Sequence, residues 1–142
     1  MEAILPLRPD HLPALREIAR ESFPVLWAPK EFLYFLGHPL GINLGMFEAE
    51  RLDGYIMGLL VHGELDIVSI ATSPAHRKRG KAERLLRYVL ELPQIEKAFL
   101  EVEAGNTPAE KLYEKLGFVI TGVRRKYYRQ TNDAHLMKWQ RS

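Results

Sequence analysis

The chain of 142 residues contains no cysteine. This absence excludes disulfides, cysteine nucleophiles and thiolate metal sites together. The five histidines lack the i, i+4 spacing that places two ligands on one helix face, so no metal site is expected. The chain also has no run of 18 apolar residues, and it starts without the basic stretch and apolar core of a secretory signal. We therefore expect a cytoplasmic protein that works without a metal.

The composition that remains is that of one globular domain spanning residues 1–142. Apolar residues make up 46% and charged residues 27%, which are average values for soluble globular proteins. A net charge of +2 is too small to indicate a nucleic-acid partner by itself. The positive charges are nevertheless clustered: Lys and Arg supply five of the ten residues 76–85 and four of the six residues 124–129. These two basic patches need an explanation.

Apolar spacing predicts seven strands and four helices. The predicted strands are 3–6, a three-strand antiparallel meander within 42–72, then 98–102, 118–128 and 135–139. The predicted helices are 11–22 with Asp10 as its N-cap, 29–36, 80–92 and 107–116. Turn residues at Arg51–Gly54 and His62–Glu64 divide the meander. This order predicts an α/β fold with a single mixed, mostly antiparallel sheet, parallel where a helix intervenes.

A candidate phosphate-binding loop, Arg77-Lys78-Arg79-Gly80-Lys81-Ala82, lies between the last meander strand and the third helix. A helix start of this kind presents free backbone N–H groups and a positive dipole end, which suits a pyrophosphate. Gly80 permits close approach, Ala82 leaves the helix start uncrowded, and the flanking cations can bond phosphate oxygens. The segment has neither a Walker-type Gly-Lys-Ser/Thr nor a Gly-x-Gly-x-x-Gly pattern. The alternative interpretation is a solvated basic helix start.

Two further residues have side chains suited to acid–base chemistry. Glu101 lies inside an apolar strand and points to the same side as Phe99 and Glu103, which suits a general base. Its alternative role is on a solvent-facing sheet surface. Tyr113 belongs to the apolar stripe of its helix, and on spacing alone it is a core residue whose hydroxyl finds a partner at the edge.

Two motifs resemble the halves of the GNAT acetyltransferase superfamily. The run 70–82 resembles its acetyl-CoA motif, Arg/Gln-x-x-Gly-x-Gly/Ala, at Arg77, Gly80 and Ala82, and departs at Lys81, where the family usually has an apolar residue. The run 100–118 resembles Asn-x-x-Ala-x-x-Leu-Tyr-x-x-x-Gly-Phe, and the matching residues are Asn106, Ala109, Leu112, Tyr113, Gly117 and Phe118. Segments 23–27, 124–128 and 133–137 resemble the RimI-type ribosomal-protein alanine N-acetyltransferases.

This resemblance implies a GNAT fold, acetyl-CoA as co-substrate and no metal. The implied acceptor is the N-terminal α-amine of a protein, such as a small-subunit ribosomal protein with N-terminal alanine. Glu101 is implied as general base and Tyr113 as general acid at the departing sulfur. The implied cofactor-binding residues are Ile70, Ala71 and Thr72 (whose backbone holds the pantetheine arm), Arg77, Lys78, Arg79, Gly80, Lys81, Ala82, Asn106 and Tyr113. Glu103, Tyr127 and Tyr128 are implied in substrate binding.

Other interpretations remain open. An α-amine has a pKa of about 8 against about 10.4 for lysine, which favours the α-amine as the more easily deprotonated acceptor. A GNAT enzyme acting on lysine, a polyamine or a small-molecule amine is the first alternative. The second is a non-catalytic RNA- or ribosome-binding module that uses the tyrosines and basic residues of 124–129. That basic patch could also be solvated, or clamp acidic groups of a partner. Neither a membrane partner nor direct nucleic-acid binding is expected of the main interpretation.

Overall fold

A computed structural model describes residues 1–77, 79–125 and 132–142. Its strands are β1 Glu2–Pro6, β2 Gly41–Glu48, β3 Arg51–Val61, β4 Glu64–Thr72, β5 Lys97–Glu103, β6 Val119–Arg124 and β7 Ala134–Gln140. Its α-helices are α1 Leu12–Ser22, α2 Pro29–Leu36, α3 Lys81–Leu90 and α4 Thr107–Lys115. The strand order is β1-β2-β3-β4-β5-β7-β6, and the β4–β5 pair is parallel while the other pairs are antiparallel. The predicted α/β fold with one mixed, mostly antiparallel sheet of seven strands and four helices is confirmed.

The sheet separates two apolar cores. Helix α3 contributes Leu85 and Leu86 to one core, which also contains Leu100 of β5. Helices α1 and α2 contribute Leu15 and Phe32 to the other core, on the opposite face of the sheet. Successive side chains of a strand point to opposite faces, so β2, β3 and β4 contribute residues to both cores. A residue's place in its strand therefore decides on which side of the sheet it acts.

Helix α3 shows how local sequence sets an element near the candidate phosphate-binding loop. Its apolar residues recur at helical spacing, and Leu85, Leu86 and Val89 are almost completely buried. Gly80 precedes the helix in the left-handed conformation, with φ of 72°. Other residues rarely adopt that backbone, so glycine is the residue that allows the chain to turn here from the loop into the helix.

The predicted turn at Arg51–Gly54 is wrong. The chain reverses just before it, at residues 49–50, where Ala49 has φ of 54°, and β3 begins at Arg51. Asp53 is the extra residue of a β-bulge, because Met46 pairs with Gly54 while the next residue of β2 pairs with Leu52. The aspartate that suggested a turn is instead buried in an ion pair. The predicted turn at residues 62–63 is confirmed, since both residues have positive φ.

The start of α1 also differs from the expectation. Asp10 is not the N-cap of α1, because a 3₁₀ turn, Pro9–His11, precedes that helix and the Asp10 carboxylate pairs with Arg8. The ring of His11 closes the 3₁₀ turn by accepting from the Arg8 N–H at 2.8 Å, and α1 itself has no side-chain cap. Strand β6 spans Val119–Arg124, and the end of the predicted strand 118–128 lies among residues 126–131, outside the described chain.

Candidate active site

The site is built around a gap between β4 and β5. These parallel strands pair at three positions, the last being Asp66 with Phe99. Beyond that point β4 stays paired with β3 as far as Thr72, and β5 with β7 as far as Glu103. No pairing between β4 and β5 follows Asp66 in the described ranges, so their C-terminal halves separate. The backbone edge of β4 that faces β5, which includes residues 70–72, is therefore available to a ligand.

A β-bulge lies at the start of this gap. Met57 of β3 pairs with Ser69, and the next residue of β3 pairs with Ile67, so Val68 is the extra residue. The hydroxyls of Ser69 and Tyr55 lie 2.8 Å apart, which fixes the bulged segment against β3. A bulge re-aims backbone groups next to it and is common beside active sites. The bulge therefore redirects the β4 edge where the two strands part.

The candidate phosphate-binding loop joins the end of β4 to α3. The first bond of the helix runs from the Arg84 N–H to the Gly80 carbonyl at 3.0 Å, so the amides of residues 81–83 precede the helical hydrogen bonds. Arg77 and Arg79 are exposed. The Arg77 guanidinium donates to the Thr72 carbonyl at 3.3 Å and to the Ser22 hydroxyl at 3.1 Å, tying the loop to β4 and α1. Lys78 lies outside the described residues.

The Lys81 cation is predicted to contact the phosphates, but the structure buries its side chain in ion pairs. The Lys81 ammonium is buried and lies 3.0 Å from Glu2 Oε1 and 3.1 Å from Asp53 Oδ2. The hydrogen bond that Lys81 donates to Glu2 is the main reason that the pKa of Lys81 is raised, so it stays charged. The first turn of α3 directs this side chain toward β1 and β3. Only the backbone N–H of Lys81 therefore stays available for the predicted phosphate contact.

Glu101 lies on β5 beside the gap, on the sheet face covered by α1 and α2. The side chain is 42% exposed and forms a two-point ion pair with Arg124, with Nε to Oε1 at 2.7 Å and Nη2 to Oε2 at 2.8 Å. Glu103 follows on the same face, as predicted from alternation, and its Oε1 accepts from Asn132 Nδ2 at 2.5 Å. Glu101 is thus reachable by solvent and held in orientation by one cation.

Tyr113 lies on the opposite face of the sheet. Its ring is buried in the core under α3 and α4, with its centroid 5.9 Å from that of Phe118. Burial raises the pKa of Tyr113 to about 12, so its hydroxyl is protonated at neutral pH. Glu101 and Tyr113 can act on one reaction centre only through an opening in the sheet, and the gap beside β5 is such an opening.

Asn106 caps α4. Its side-chain oxygen accepts from the Ala109 N–H at 3.4 Å, and its own N–H donates to the Glu103 carbonyl at 3.0 Å. A side-chain oxygen at this position satisfies one of the helix's unpaired N–H groups. Asn106 therefore orders the loop between β5 and α4, and its contact with the cofactor stays a prediction.

A cleft of about 370 Å³ opens on the Glu101 side of the gap. Its walls combine aromatic and acidic side chains with the bulge of β4, and the lining residues are Trp27, Glu31, Phe35, Asp66, Ile67, Val68 and Glu101. The rings of Trp27 and Phe35 stack with centroids 5.0 Å apart. One oxygen of Glu31 accepts from the Ala28 N–H at 2.8 Å. The cleft suits a cationic group attached to a short apolar one.

Sequence reasoning missed part of this cleft. Glu31 and Asp66 belong to none of the sequence motifs, although Asp66 is a strand-interior carboxylate like Glu101. The bulge did leave a signal, because the inward apolar residues of β4 change phase, from a spacing of two between Leu65 and Ile67 to three before Ile70. Tyr127 and Tyr128, predicted to bind substrate, lie outside the described residues.

These features define the class of the protein. The acetyltransferase (GNAT) family matches residues 12–118, which is most of the chain. The chain belongs to the GNAT acetyltransferases and is an N-acetyltransferase enzyme. In the described ranges no helix is long and apolar enough to cross a membrane, and no group of acidic or histidine side chains there could hold a metal ion.

One relative and two solved structures are similar to this chain over most of its length. The ribosomal protein bS18-alanine N-acetyltransferase of Salmonella typhimurium is 31% identical, over 90% of this chain and 88% of that protein. The crystal structure of the ribosomal-protein-S18-alanine N-acetyltransferase of Escherichia coli matches with a TM-score of 0.90 and 26% identity, over 99% and 94% of the two chains. Arabidopsis thaliana NAA60, solved with acetyl-CoA, shares the fold at a TM-score of 0.88 and 20% identity, over 99% of each chain. This chain is similar to each of them.

Proposed function

We propose that this enzyme transfers the acetyl group of acetyl-CoA to the N-terminal α-amine of a protein, with the N-terminal alanine of a small-subunit ribosomal protein as its acceptor. The observation that carries the proposal is the gap between β4 and β5, with the Glu101 carboxylate on one face of the sheet and the buried side chain of Tyr113 on the other. The relatives that act on bS18 cover nearly the whole chain and support the choice of acceptor. A cytoplasmic location and a single catalytic domain over residues 1–142 form part of the proposal.

The donor fits the residues around the gap. The amides that open α3 and the exposed guanidinium groups of Arg77 and Arg79 can hold a pyrophosphate, since a helix N-terminus and cations both stabilise phosphate charge. The β4 edge at residues 70–72 offers backbone groups to the amides of the pantetheine arm. When bound, acetyl-CoA supplies an activated thioester carbonyl.

Glu101 is the proposed general base. Its carboxylate borders the cleft in which the acceptor amine would lie, and solvent reaches it, so it can accept the amine's proton directly or through a water. An α-amine with a pKa of about 8 needs only a modest base. The backbone N–H groups redirected by the bulge at Val68 can stabilise the oxyanion that develops on the carbonyl.

Tyr113 is the proposed general acid. Its hydroxyl keeps its proton at neutral pH because burial raises its pKa to about 12. It can therefore donate a proton to a departing thiolate on the donor side of the sheet. No covalent acyl-enzyme is needed, since the gap brings donor and acceptor together directly.

The acceptor is tested with three peptides, acetyl-CoA and mass spectrometry. The first has a free N-terminal alanine and a basic body, the second is the same peptide with a blocked N-terminus and internal lysines, and the third offers a free lysine side chain. Acetylation of the first peptide alone is the expected result. Modification of the lysine peptides would assign the enzyme to side-chain amines, and transfer to none of them would indicate a small-molecule acceptor.

A further inference from the structure

Asp53 and Lys81 are the two charged residues that are buried in the part of the chain that the structure describes. The Asp53 side chain has no exposed surface and that of Lys81 is 8% exposed. Their charged atoms lie 3.1 Å apart and join β3 to the first residue of α3. Neither residue borders the gap or the cleft, so the proposed chemistry leaves the pair unexplained.

The Asp53 carboxylate reaches both ends of the loop. His76, the residue before the loop, has Nε2 3.5 Å from Asp53 Oδ1, and Lys81, near the end of the loop, contacts Oδ2. The Asp53 backbone carbonyl also accepts from the Ser73 N–H at 2.8 Å. One residue in the bulge of β3 thus fixes where the chain enters the loop and where it leaves.

A second carboxylate fixes the middle of the loop. Glu2 of β1 accepts from Arg84 Nε at 2.7 Å and Nη2 at 2.8 Å, and also from the Lys81 ammonium at 3.0 Å. The remaining terminal nitrogen of Arg84, Nη1, donates to the Arg79 carbonyl at 2.9 Å. Glu2 therefore orients the guanidinium that holds the loop just before Gly80.

Stability alone does not account for this network. Removing two charges from water costs several kcal/mol per ion, and well-packed apolar residues often serve as well in a buried position. An apolar residue here would pack α3 against β1 and β3 but would leave the loop ends without these contacts. The roles for which buried ion pairs are best attested concern the fixing of one arrangement among several.

We propose that Glu2, Asp53 and Lys81 position the phosphate-binding loop, so that its amides and exposed guanidinium groups meet the pyrophosphate of acetyl-CoA without prior rearrangement. This inference rests on the proposed role of the loop. The three side chains touch neither donor nor acceptor and act through His76, Arg84 and the backbone carbonyl of Arg79. Their effect is confined to donor binding, because Glu101 and Tyr113 belong to other elements.

The test compares Lys81→Met and Glu2→Gln with the wild-type enzyme, using two donors. Acetyl-CoA carries the pyrophosphate and S-acetylpantetheine does not. The Michaelis constant for acetyl-CoA should rise about tenfold in Lys81→Met, while kcat changes less than about twofold. The Michaelis constant for S-acetylpantetheine should stay unchanged, since the loop has no phosphate to bind. Glu2→Gln, which alters a partly exposed carboxylate, should show the same pattern more weakly.

Two further variants control for folding and for charge. Lys115→Met removes another lysine that pairs with α3, through Glu83 at 2.8 Å, and should change neither constant. Lys81→Arg keeps the positive charge and should restore most of the affinity for acetyl-CoA. Circular dichroism and thermal melting establish that each variant is folded.

Three outcomes would overturn the proposal. A folded Lys81→Met enzyme with unchanged affinity for acetyl-CoA would show that the network is only structural. An equal rise in the Michaelis constants of both donors would show a general distortion of the site. A wild-type enzyme that uses both donors equally well would remove the phosphate role of the loop and this inference with it, whereas the peptide assay tests the acceptor independently.

Discussion

Arg124 holds both oxygens of the Glu101 carboxylate, across the intervening strand β7. The fork geometry of a guanidinium matches a carboxylate at two points and fixes its plane. A carboxylate has about four lone-pair sites, so Glu101 can still accept from a water or an amine in the cleft. The pair therefore orients the proposed base without occupying it completely.

Replacing Glu101 tests its assignment as the base. Glu101→Gln keeps the shape of the side chain and should lower kcat by about 10²–10⁴ while acetyl-CoA binding, measured by calorimetry, is kept. Glu103→Gln is the matched control, because Glu103 lies on the same strand and face and bonds Asn132. Equal losses in the two variants would contradict a special role for Glu101.

Replacing Arg124 tests the orientation of that base. Arg124→Gln should lower kcat by about tenfold with the Michaelis constant for acetyl-CoA unchanged, because the donor-binding elements are untouched. Arg124→Lys keeps the charge but not the fork, so it should restore only part of the rate. Steady-state kinetics at saturating donor distinguish these cases, and full activity of Arg124→Gln would make the pair incidental.

Burial of the Tyr113 hydroxyl makes the free energy of unfolding depend on pH under alkaline conditions. Its folded-state pKa of about 12 lies above its ordinary value of 10.0 because of burial. The protonated tyrosine therefore stabilises the fold fully below pH 10, and this contribution is lost as the pH rises through 12. In Tyr113→Phe the free energy of unfolding, measured in urea from pH 9 to 12, should fall less steeply than in the wild type.

The same variant should show a lower kcat at pH 8, because it has no hydroxyl to protonate the departing thiolate. An unchanged kcat would contradict the role of Tyr113 as general acid.

The ion pairs of Glu2 make the free energy of unfolding depend on pH under acidic conditions. Hydrogen bonds from Arg84 and then Lys81 lower the pKa of Glu2 from 4.5 to about 2. A lowered folded-state pKa stabilises the protein above pH 4.5, and the contribution is lost as the pH falls through 2. Glu2→Gln should therefore be less stable at pH 7 and lose less stability between pH 4.5 and 2, as measured by urea denaturation. Glu17→Gln, which alters an exposed pair at 3.4 Å, is the control.

Arg141 stabilises the far end of α3. Its guanidinium donates to the carbonyls of Leu90, Leu92 and Ile95 at 2.7–3.0 Å, where a cation also interacts favourably with the helix dipole. Arg141→Ala should lower the free energy of unfolding by about 1.5–3 kcal/mol, because several carbonyls lose a charged donor. Arg20→Ala, at an exposed pair, should cost less than about 1 kcal/mol. Equal effects in urea denaturation would contradict this role.

The comparison of sequence and structure separates local from long-range signals. Helix α3 could be predicted because its apolar spacing and Gly80 lie within one short segment. The pairing of Lys81 with Asp53 could not, since it depends on how α3 lies against β3. The turn predicted at residues 51–54 is wrong for the same reason. A bulge and a turn favour similar residues, and only the pairing with the partner strand distinguishes them.

The candidate site shows the same division. Glu101 and Tyr113 stood out through a strand-interior charge and a motif match, whereas their placement on opposite faces required the folded sheet. Asp66 and Glu31 line the same cleft although they belong to β4 and α2, and only the folded chain brings them together. The assignment of roles to these residues stays a prediction for the kinetics above.

The gap between β4 and β5 gives the sheet an inner edge in addition to its two outer ones. An unpaired strand edge is a place where further backbone can add. A donor whose amides bond β4 fills that edge as an additional strand would, and a ligand that binds only the folded state raises its stability in proportion to the logarithm of its concentration. An acetyl-CoA held in this way would act as a removable strand of the enzyme's own sheet, and thermal melting with and without the donor would measure how much that strand stabilises the fold.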